Sequence, residues 1–168
     1  MEIGCGSGRI SHEIITCGAA SYHGINFSQN TIDTAKENAK ETGVSDRTSF
    51  EQADISNKSL IKADLIFSFG FISWLTNEQI DHMLKITRQS HFLHTITERR
   101  FEFRQIIKNI YLHITKADPY LVRYFSVADI ERYLEKHRDY QMHVLRHKKL
   151  YTMAYLSSLP FPAKLITN

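Results

Sequence analysis

The feature that most constrains this chain is a run of alternate glycines at its start, Glu-Ile-Gly-Cys-Gly-Ser-Gly over residues 2–8. Gly4, Gly6 and Gly8 stand between a short apolar lead and a helical pattern, which predicts a tight turn that joins a strand to a helix. Such a turn brings the backbone close to a ligand, at a helix N-terminus that carries partial positive charge. The run therefore predicts a binding site at the end of the first strand.

The spacing of the glycines excludes two common nucleotide-binding loops. The dinucleotide fingerprint G-x-G-x-x-G requires a glycine where this chain has Arg9. The phosphate-binding loop G-x-x-x-x-G-K-[ST] is absent from the sequence. What remains is an acidic residue, Glu2, followed by three glycines at every second position.

The rest of the chain alternates short apolar runs with amphipathic stretches, which is typical of a layered α/β domain with a mostly parallel sheet. The closing run is two alternating segments about a basic turn, which predicts an antiparallel hairpin. The parallel strands are predicted at residues 2–3, 21–26, 48–54, 63–69 and 91–97.

Amphipathic stretches predict five helices, of which the first follows Gly8 and ends at Gly18. Ser28 stands where the N-cap of one helix is expected, and Thr76 with Gln79 fits a capping box at another. Ser126 and Asp129 stand at the start of a late helix. The remaining stretch has apolar residues in line at helical spacing: Phe103, Ile107, Ile110 and Ile114.

Composition adds few constraints. The chain has 168 residues, 42% of them hydrophobic and 23% charged, and a net charge of +3 with histidine neutral, which is ordinary for one globular domain. Two cysteines, Cys5 and Cys17, show no spacing of a zinc site or disulfide framework. We therefore expect a reducing compartment, the cytoplasm, and no metal site. The sequence contains no run of about 18 apolar residues, so it predicts no membrane span.

Four segments follow one another in order: EIGCGSGRIS, GINFSQNTIDTAKENA, FEQADI and ADLIFSFGFISWL. Together they resemble the motifs of the class I S-adenosylmethionine-dependent methyltransferases, which have a Rossmann-like fold. The glycine run EIGCGSGRIS resembles the first motif of that family, and FEQADI resembles the third. GINFSQNTIDTAKENA is similar to the second strand and its helix, and ADLIFSFGFISWL is similar to the fourth strand and its turn. The likeness covers residues 1–97 well and the rest only in outline.

The resemblance implies a doubly wound, mostly parallel sheet of seven strands with helices on both faces, a C-terminal antiparallel hairpin and a shortened first strand. It implies a single domain over residues 1–168. Within it, the cofactor-binding half would be residues 1–97, the substrate lid and helical region 98–139, the hairpin 140–157 and a tail 158–168.

The cofactor that the resemblance implies is S-adenosylmethionine, with S-adenosylhomocysteine as product. The glycines would lie against its methionine end, with Glu2 orienting the loop, and Asp54 would accept a hydrogen bond from the adenine amino group. The implied cofactor-binding residues are Glu2, Gly4, Gly6, Gly8, Asn26, Phe27, Asp54, Ile55, Ser68 and Phe69.

Two pairs of these residues would contact the cofactor through apolar or strand-end surface. Phe27 and Ile55 would sandwich the adenine, while Ser68 and Phe69 would border the methionyl group. The residues alone leave other roles open, because Asp54 can simply cap a loop and Phe27 can belong to the core.

One position departs from the family pattern. The family places Asp or Glu at the end of the second strand, where two carboxylate oxygens hold both ribose hydroxyls, but this chain has Asn26. An amide loses the charge-assisted hydrogen bonds, which are roughly twice as strong as neutral ones. We therefore expect weaker cofactor binding.

The sequence does not reveal a catalytic residue, and methyl transfer requires a base only when the acceptor must lose a proton early. Candidates at strand ends and in the lid region are Glu98 and Tyr124, while His94, in mid-strand, is expected to be a core histidine. After the fourth strand the chain reads SFGF, not the Asn-Pro-Pro-Tyr type motif of enzymes that methylate nucleic-acid amino groups. A small-molecule acceptor methylated on oxygen, nitrogen or carbon is therefore favoured over nucleic acid.

Other readings remain open at this stage. YFSVADIERYLEK is loosely similar to a stretch of natural-product and porphyrin carboxyl methyltransferases. Asn26 and the short first strand favour a cofactor-binding pseudo-enzyme, and the basic hairpin turn leaves an RNA methyltransferase as a lesser alternative. The short strand also predicts that the chain is a fragment, or that a homodimer or partner chain completes its N-terminal side.

Overall fold

The structure is a computed structural model that describes residues 1–59, 61–99, 123–139, 141–146 and 153–162. Three sequence predictions lie outside these residues: the amphipathic stretch from Phe103 to Ile114, the basic turn of the hairpin, and most of the tail.

One seven-stranded sheet forms the centre of the molecule. Its strands are β1 (Glu2–Ile3), β2 (Tyr22–Asn26), β3 (Thr48–Gln52), β4 (Leu65–Ser68), β5 (His91–Thr97), β6 (His143–Arg146) and β7 (Met153–Ser157). They lie in the order β3-β2-β1-β4-β5-β7-β6, with β1 to β5 parallel and β7 antiparallel to both of its neighbours. The predicted fold class, with its C-terminal antiparallel strands, is confirmed.

The described helices are α1 (Ser11–Thr16), α2 (Gln29–Glu41), α3 (Asn77–Thr87) and α4 (Val127–Lys136), with 3-10 turns at Ile55–Asn57 and Ile72–Trp74. Their starts follow the capping chemistry of the sequence. Ser28 accepts a hydrogen bond from the Thr31 amide at 3.4 Å. Complete capping boxes, led by Thr76 and Ser126, begin α3 and α4.

Side chains along each strand alternate between the two faces of the sheet. Apolar residues therefore lie on both faces, and helices cover each of them. Ile25 and Ile66 face α3 and α4 in the larger core cluster, which includes Met83. Tyr22 and Phe67 face the opposite side, in a smaller cluster with buried residues of α1 and α2. The glycine loop lies at the end of the central strand between these two cores.

The central strand is unusually short. β1 has two residues, whereas β2 and β4 beside it have five and four. It pairs with β2 at two positions and with β4 at one. The amino group of Met1 donates to the Leu65 carbonyl at 2.7 Å, and the Met1 carbonyl accepts from the Phe67 amide at 2.9 Å.

Candidate functional site

The residues predicted to bind a ligand lie at the carboxyl edge of the sheet. The glycine loop follows β1, Asn26 and Phe27 end β2, Asp54 follows β3, and Ser68 ends β4. These four strands are adjacent and parallel, so their carboxyl ends meet at one edge. In open α/β sheets, ligands bind in the crevice at this edge.

Two of the three loop glycines are required by packing. A Cβ on Gly4 would lie 2.4 Å from Cδ2 of Phe71, in the turn after β4. A Cβ on Gly8 would lie 2.9 Å from the ring of Phe50 on β3 and 3.1 Å from Ala35 on α2. Both glycines have positive φ, at 73° and 68°. They allow the loop to lie close against its neighbours.

Gly6 differs from the other two. Its φ is 52°, but a Cβ placed there would meet nothing within 4 Å. A residue in this conformation beside open space permits a ligand to approach the backbone closely. Gly6 is therefore the loop glycine at which the backbone is open.

Backbone and side-chain hydrogen bonds hold the loop on both sides. The Gly4 and Cys5 amides donate to the Ile25 carbonyl at 2.9 and 3.0 Å. The side-chain amide of Asn38, on α2, donates to the Ser7 carbonyl at 2.9 Å. The loop is thus preorganised by β2 and α2.

The end of β2 presents one constrained and one exposed side chain. Asn26 Oδ1 accepts from the Ser28 amide at 3.0 Å, so that this oxygen already holds the turn into α2. Phe27 is 73% exposed, and its carbonyl accepts from Gln52 Nε2 at 3.2 Å. The aromatic ring of Phe27 is available as a stacking surface.

The end of β3 shows the capping role that the sequence left open for Asp54. Its Oδ1 accepts from the Ser56 amide at 2.8 Å and caps the 3-10 turn Ile55–Asn57. Ile55 is 4% exposed and packs in the larger core cluster. One carboxylate oxygen of Asp54 therefore has a structural role, and the side chain of Ile55 faces the interior.

Ser68, at the end of β4, is fully buried, and its Oγ lies 2.9 Å from Nδ1 of His94. Burial lowers the pKa of His94 to about 3, so this histidine is neutral. Among the described residues, its Nε2 has no hydrogen-bond partner. The next residue, Phe69, is 42% exposed and lies at the edge of the crevice.

Glu2 lies below the loop and does not face the crevice. It is 4% exposed, and its carboxylate accepts a hydrogen bond from the hydroxyl of Tyr22. Burial raises the pKa of Glu2 to about 7. Sequence reasoning did not identify Tyr22, because no local pattern shows which tyrosine reaches a carboxylate twenty residues away.

The two catalytic candidates have different surroundings. Glu98 is 2% exposed, and its Oε1 lies 2.6 Å from Nε of Arg146. Tyr124 is half-buried in a short extended segment across the ends of β4 and β5. In that segment the Arg123 amide donates to the Ser73 carbonyl at 3.0 Å, and the Phe125 amide donates to the Thr97 carbonyl at 2.8 Å. Glu98 is therefore part of the framework, whereas Tyr124 lies at the site edge.

A large cavity lies at the opposite edge of the sheet. Its volume is about 1100 Å³, and it is lined by residues that precede β2, β4 and β5, among them Ser21, Ala63 and Ser90. We assign the candidate site to the carboxyl edge instead, because the positive-φ loop and the strand-end side chains converge there.

Two absences concern only the described residues. No helix among them is both long and apolar enough to cross a membrane. In the same part of the chain, no group of three or more His, Cys, Asp or Glu side chains could hold a metal ion.

Comparison with known proteins shows the family. The family model described as "Methyltransferase domain" matches residues 1–90, more than half of the chain. No protein with a curated description matches the chain by sequence.

Solved structures show the same fold at low sequence identity. Magnesium protoporphyrin IX methyltransferase (ChlM) from Synechocystis PCC 6803, with bound SAH, is 17% identical with a TM-score of 0.67, over 93% of this chain and 70% of that one. The S-adenosylmethionine-dependent methyltransferase SibL, in its apo form, is 15% identical with a TM-score of 0.74, over 93% and 48%. An O-methyltransferase family protein from Burkholderia thailandensis is 8% identical with a TM-score of 0.68, over 93% and 48%. The chain thus spans about half the length of two of these proteins.

Proposed function

The chain belongs to the methyltransferase domain family, as its resemblance to the class I enzymes predicted, and from this premise we propose that it binds S-adenosylmethionine and transfers its methyl group to a small molecule. The observation that carries the proposal is the open backbone at Gly6, next to two glycines that packing requires. A loop shaped in this way accepts a ligand at one point and is held rigid at two others.

The residues around the loop fit the parts of this cofactor. The backbone at Gly6 would lie against the methionyl group. Phe27, at 73% exposure, offers an aromatic face for the adenine ring. The second oxygen of Asp54 would accept a hydrogen bond from the adenine amino group, because the first is bonded to the Ser56 amide.

Two of the cofactor contacts expected from the sequence would be made by backbone atoms and not by side chains. The side chain of Ile55 packs in the core, so its proposed contact with adenine is through the backbone. The hydroxyl of Ser68 is bonded to His94, so Ser68 would border the methionyl group by its backbone, next to the exposed ring of Phe69.

The bound cofactor supplies a methyl group on a sulfonium, an electrophile that needs no further activation. The contribution of the chain is to hold the acceptor in line with that methyl group and to exclude water. His94 is neutral and buried, so it is a framework residue in this proposal. Glu98 is paired with Arg146, which leaves Tyr124 as the candidate that would contact the acceptor.

The acceptor would lie between the turn after β4 and the segment at residues 123–125. Trp74 is 53% exposed and follows Ser73. The Ser73 carbonyl accepts a hydrogen bond from the amide of Arg123, the residue before Tyr124. Two aromatic residues therefore lie on two joined segments at the site edge. This arrangement favours a planar, conjugated acceptor, in line with the porphyrin named for one structural neighbour.

Asn26 favours a second candidate, a cofactor-binding subunit without transfer activity. Its Oδ1 is engaged by the Ser28 amide, so the side chain would offer a ribose mainly N–H donors. An aspartate at this position would retain that bond and present a second oxygen to the ribose hydroxyls.

The first experiment is calorimetric titration of S-adenosylhomocysteine into the wild-type chain and Gly6→Ala. We expect micromolar binding by the wild type, roughly 8 kcal/mol, and a loss of at least about tenfold in the variant. Gly43→Ala is the matched control, because Gly43 also has positive φ, at 72°, and open space, but lies at the end of α2. Absence of binding by folded wild type would refute the proposal.

Asn26→Asp tests the two candidates against each other. If the ribose site is in use, we expect the affinity for S-adenosylhomocysteine to rise about fivefold to tenfold, because charge-assisted hydrogen bonds replace neutral ones. Asn30→Asp, an exposed change of the same charge on α2, is the control. Unchanged affinity in Asn26→Asp would favour a pocket that does not hold the ribose.

The acceptor class can be tested through the single tryptophan of the chain. Trp74 fluorescence should change on titration with a bicyclic phenol, in the presence of S-adenosylhomocysteine, and not with an aliphatic alcohol of similar size. Tyr124→Ala should weaken this response, while Tyr133→Phe on α4 should not. An equal response to both compounds would contradict a planar acceptor.

A further inference from the structure

One arginine joins the two segments between which the acceptor is proposed to lie. Trp74 is in the turn after β4, and Tyr124 is in the extended segment at residues 123–125. Arg123 stands directly before Tyr124 and is hydrogen-bonded to the residues on both sides of Trp74. The spacing of the two aromatic residues therefore depends on how Arg123 is held.

Arg123 contacts the turn through both its backbone and its side chain. Its amide donates to the Ser73 carbonyl at 3.0 Å. Its guanidinium donates from Nη1 to the Leu75 carbonyl, a long bond of 3.5 Å, and from Nη2 to Oδ1 of Asn77 at 2.5 Å. Ser73 and Leu75 are the chain neighbours of Trp74, so Arg123 brackets this residue from before and after.

The turn has a separate anchor on the side that precedes Trp74. The Ser73 hydroxyl donates to Oγ1 of Thr97, on β5, at 2.7 Å. This bond holds the residue before Trp74, whereas the guanidinium of Arg123 reaches the residues after it. The side chain of Arg123 therefore adds a restraint that the bond to β5 does not supply.

Phe125 holds the guanidinium in place from the other end of the segment. Its ring is fully buried, and the guanidinium carbon of Arg123 lies 4.6 Å from the ring centroid, within the range of a cation–π contact. Side chains alternate along an extended segment, so Arg123 and Phe125 share one side and Tyr124 lies on the other. Arg123 can therefore fix the position of Tyr124 without occupying the acceptor space.

The turn that Arg123 holds also contacts the glycine loop. Phe71, at the start of this turn, lies so close to Gly4 that a Cβ on Gly4 would be 2.4 Å from its ring. The turn is therefore in contact with both the proposed cofactor loop and the segment that carries Tyr124. A shift of the turn would change the position of Trp74 relative to both.

We propose that Arg123 is a positioning residue for the acceptor, which sets the distance between Trp74 and Tyr124 by joining their two segments. This inference rests on the proposed function, because the acceptor is the ligand that would lie between these rings. The planar fork of a guanidinium bonds to two acceptors in a fixed geometry, which the ammonium of a lysine does not. The distance matters because small misplacements of a reactant slow an in-line transfer steeply.

The first test needs no ligand, because the chain has a single tryptophan. Time-resolved fluorescence anisotropy of the full chain measures the sub-nanosecond motion of Trp74. Arg123→Ala should raise the amplitude of this motion about twofold, and Arg123→Lys should give an intermediate value. Arg132→Ala, which removes an exposed arginine of α4, should leave it unchanged. Equal amplitudes in Arg123→Ala and the wild type would overturn the proposal.

Variants of Asn77 keep the proposal testable if Arg123→Ala does not fold. Asn77→Leu removes the oxygen that the guanidinium bonds to, and it should raise the motion of Trp74. Asn77→Asp should keep the wild-type value, because its carboxylate still accepts from Arg123. Equal values in the two variants would overturn the proposal, because the restraint would not depend on the acceptor oxygen.

Tyr133→Phe separates the two donors to Asn77. The hydroxyl of Tyr133, on α4, donates to the same oxygen, and its removal leaves both bonds of the guanidinium in place. We therefore expect wild-type motion of Trp74 in Tyr133→Phe. An increase as large as that in Asn77→Leu would assign the restraint to α4 and contradict a role of Arg123.

The closing test separates this inference from the proposed function. S-adenosylhomocysteine, and then 2-naphthol in its presence, are titrated by calorimetry into wild type, Arg123→Ala and Arg132→Ala. Arg123→Ala should bind S-adenosylhomocysteine within about twofold of wild type and 2-naphthol at least about tenfold more weakly. Arg132→Ala should match the wild type for both ligands.

Three other outcomes of this titration have distinct meanings. Wild-type affinity of Arg123→Ala for 2-naphthol would overturn the inference and leave the proposed function intact. Loss of both ligands in Arg123→Ala would also overturn it, because the arginine would then support the whole fold and not the acceptor site. Absence of S-adenosylhomocysteine binding by folded wild type would refute the proposed function, and with it the acceptor site on which this inference rests.

Discussion

Two buried glutamates, at opposite ends of the parallel strands in sequence, show how the same side chain can have different roles. Glu98, after β5, is 2% exposed and is paired with Arg146 at 2.6 Å. Glu2, in β1, is 4% exposed and accepts a hydrogen bond from the hydroxyl of Tyr22. Burial of a carboxylate is therefore compensated by a cation at one place and left to titrate at the other. The ion pair of Glu98 links the end of β5 to β6, whereas burial raises the pKa of Glu2 to about 7.

The largest effect on stability should come from removing the arginine that pairs with Glu98. Arg146→Ala removes the cation from a buried carboxylate, and we expect a loss of about 3–4 kcal/mol in the free energy of unfolding, measured by urea denaturation. Arg132→Ala is the control. Arg132 forms an exposed pair with Asp129 at 3.6 Å, so its removal should cost less than about 0.5 kcal/mol. Equal losses in the two variants would show that Glu98 does not depend on its partner.

Glu2→Gln should give the next largest effect, and its sign depends on pH. The pKa of Glu2 is raised in the folded state, so its stabilising contribution is complete below the unfolded pKa, near 4.5, and is lost as pH rises through about 7. The variant should match the wild type near pH 4.5 and be more stable by about 2–3 kcal/mol near pH 8. Thermal unfolding across this range measures the difference.

The control for Glu2→Gln is Glu131→Gln, which removes a carboxylate from the exposed surface of α4. A constant difference between Glu2→Gln and wild type from acid to neutral pH would contradict the contrast with Glu98, because it would mean that the pKa of Glu2 is the same in the folded and unfolded states.

A partly exposed carboxylate should give the smallest effect. Burial raises the pKa of Asp81 on α3, but hydrogen bonds from Lys136 and His137 of α4 outweigh it and hold the pKa below its ordinary value. Asp81→Asn should therefore cost about 1 kcal/mol near neutral pH. The loss should shrink as pH falls below the ordinary pKa of aspartate, and it should vanish once pH has fallen through the lowered pKa of the folded state. Urea denaturation near neutral pH and in acid measures this loss of stability. A loss that persists in acid would exclude an electrostatic origin.

The fold could be predicted from the sequence because its signals are local. Alternating glycines, capping residues and apolar runs located the ends of β2 and β5 and the capping boxes of α3 and α4 within a few residues. The family resemblance then supplied the seven-stranded, mostly parallel sheet with its C-terminal antiparallel hairpin, but not the order of the strands. Both kinds of signal can be recognised in a single sequence, because each depends on residues that are neighbours along the chain.

The site was only partly accessible to the same reasoning. The sequence indicated that the glycines and strand-end residues share one edge, but not that Gly4 and Gly8 are packed while Gly6 is open. Nor did it show that Ser68 bonds to His94 or Glu98 to Arg146. These partners are 26 and 48 residues apart, and their pairing depends on the register of β4, β5 and β7.

The place of β1 in the sheet has a consequence for cooperativity. It stands between the half-sheet β3-β2 and the half-sheet β4-β5-β7-β6, and the glycine loop follows it directly. A ligand seated on the loop would clamp the two halves together, so hydrogen exchange of the β2 and β4 amides should slow on binding.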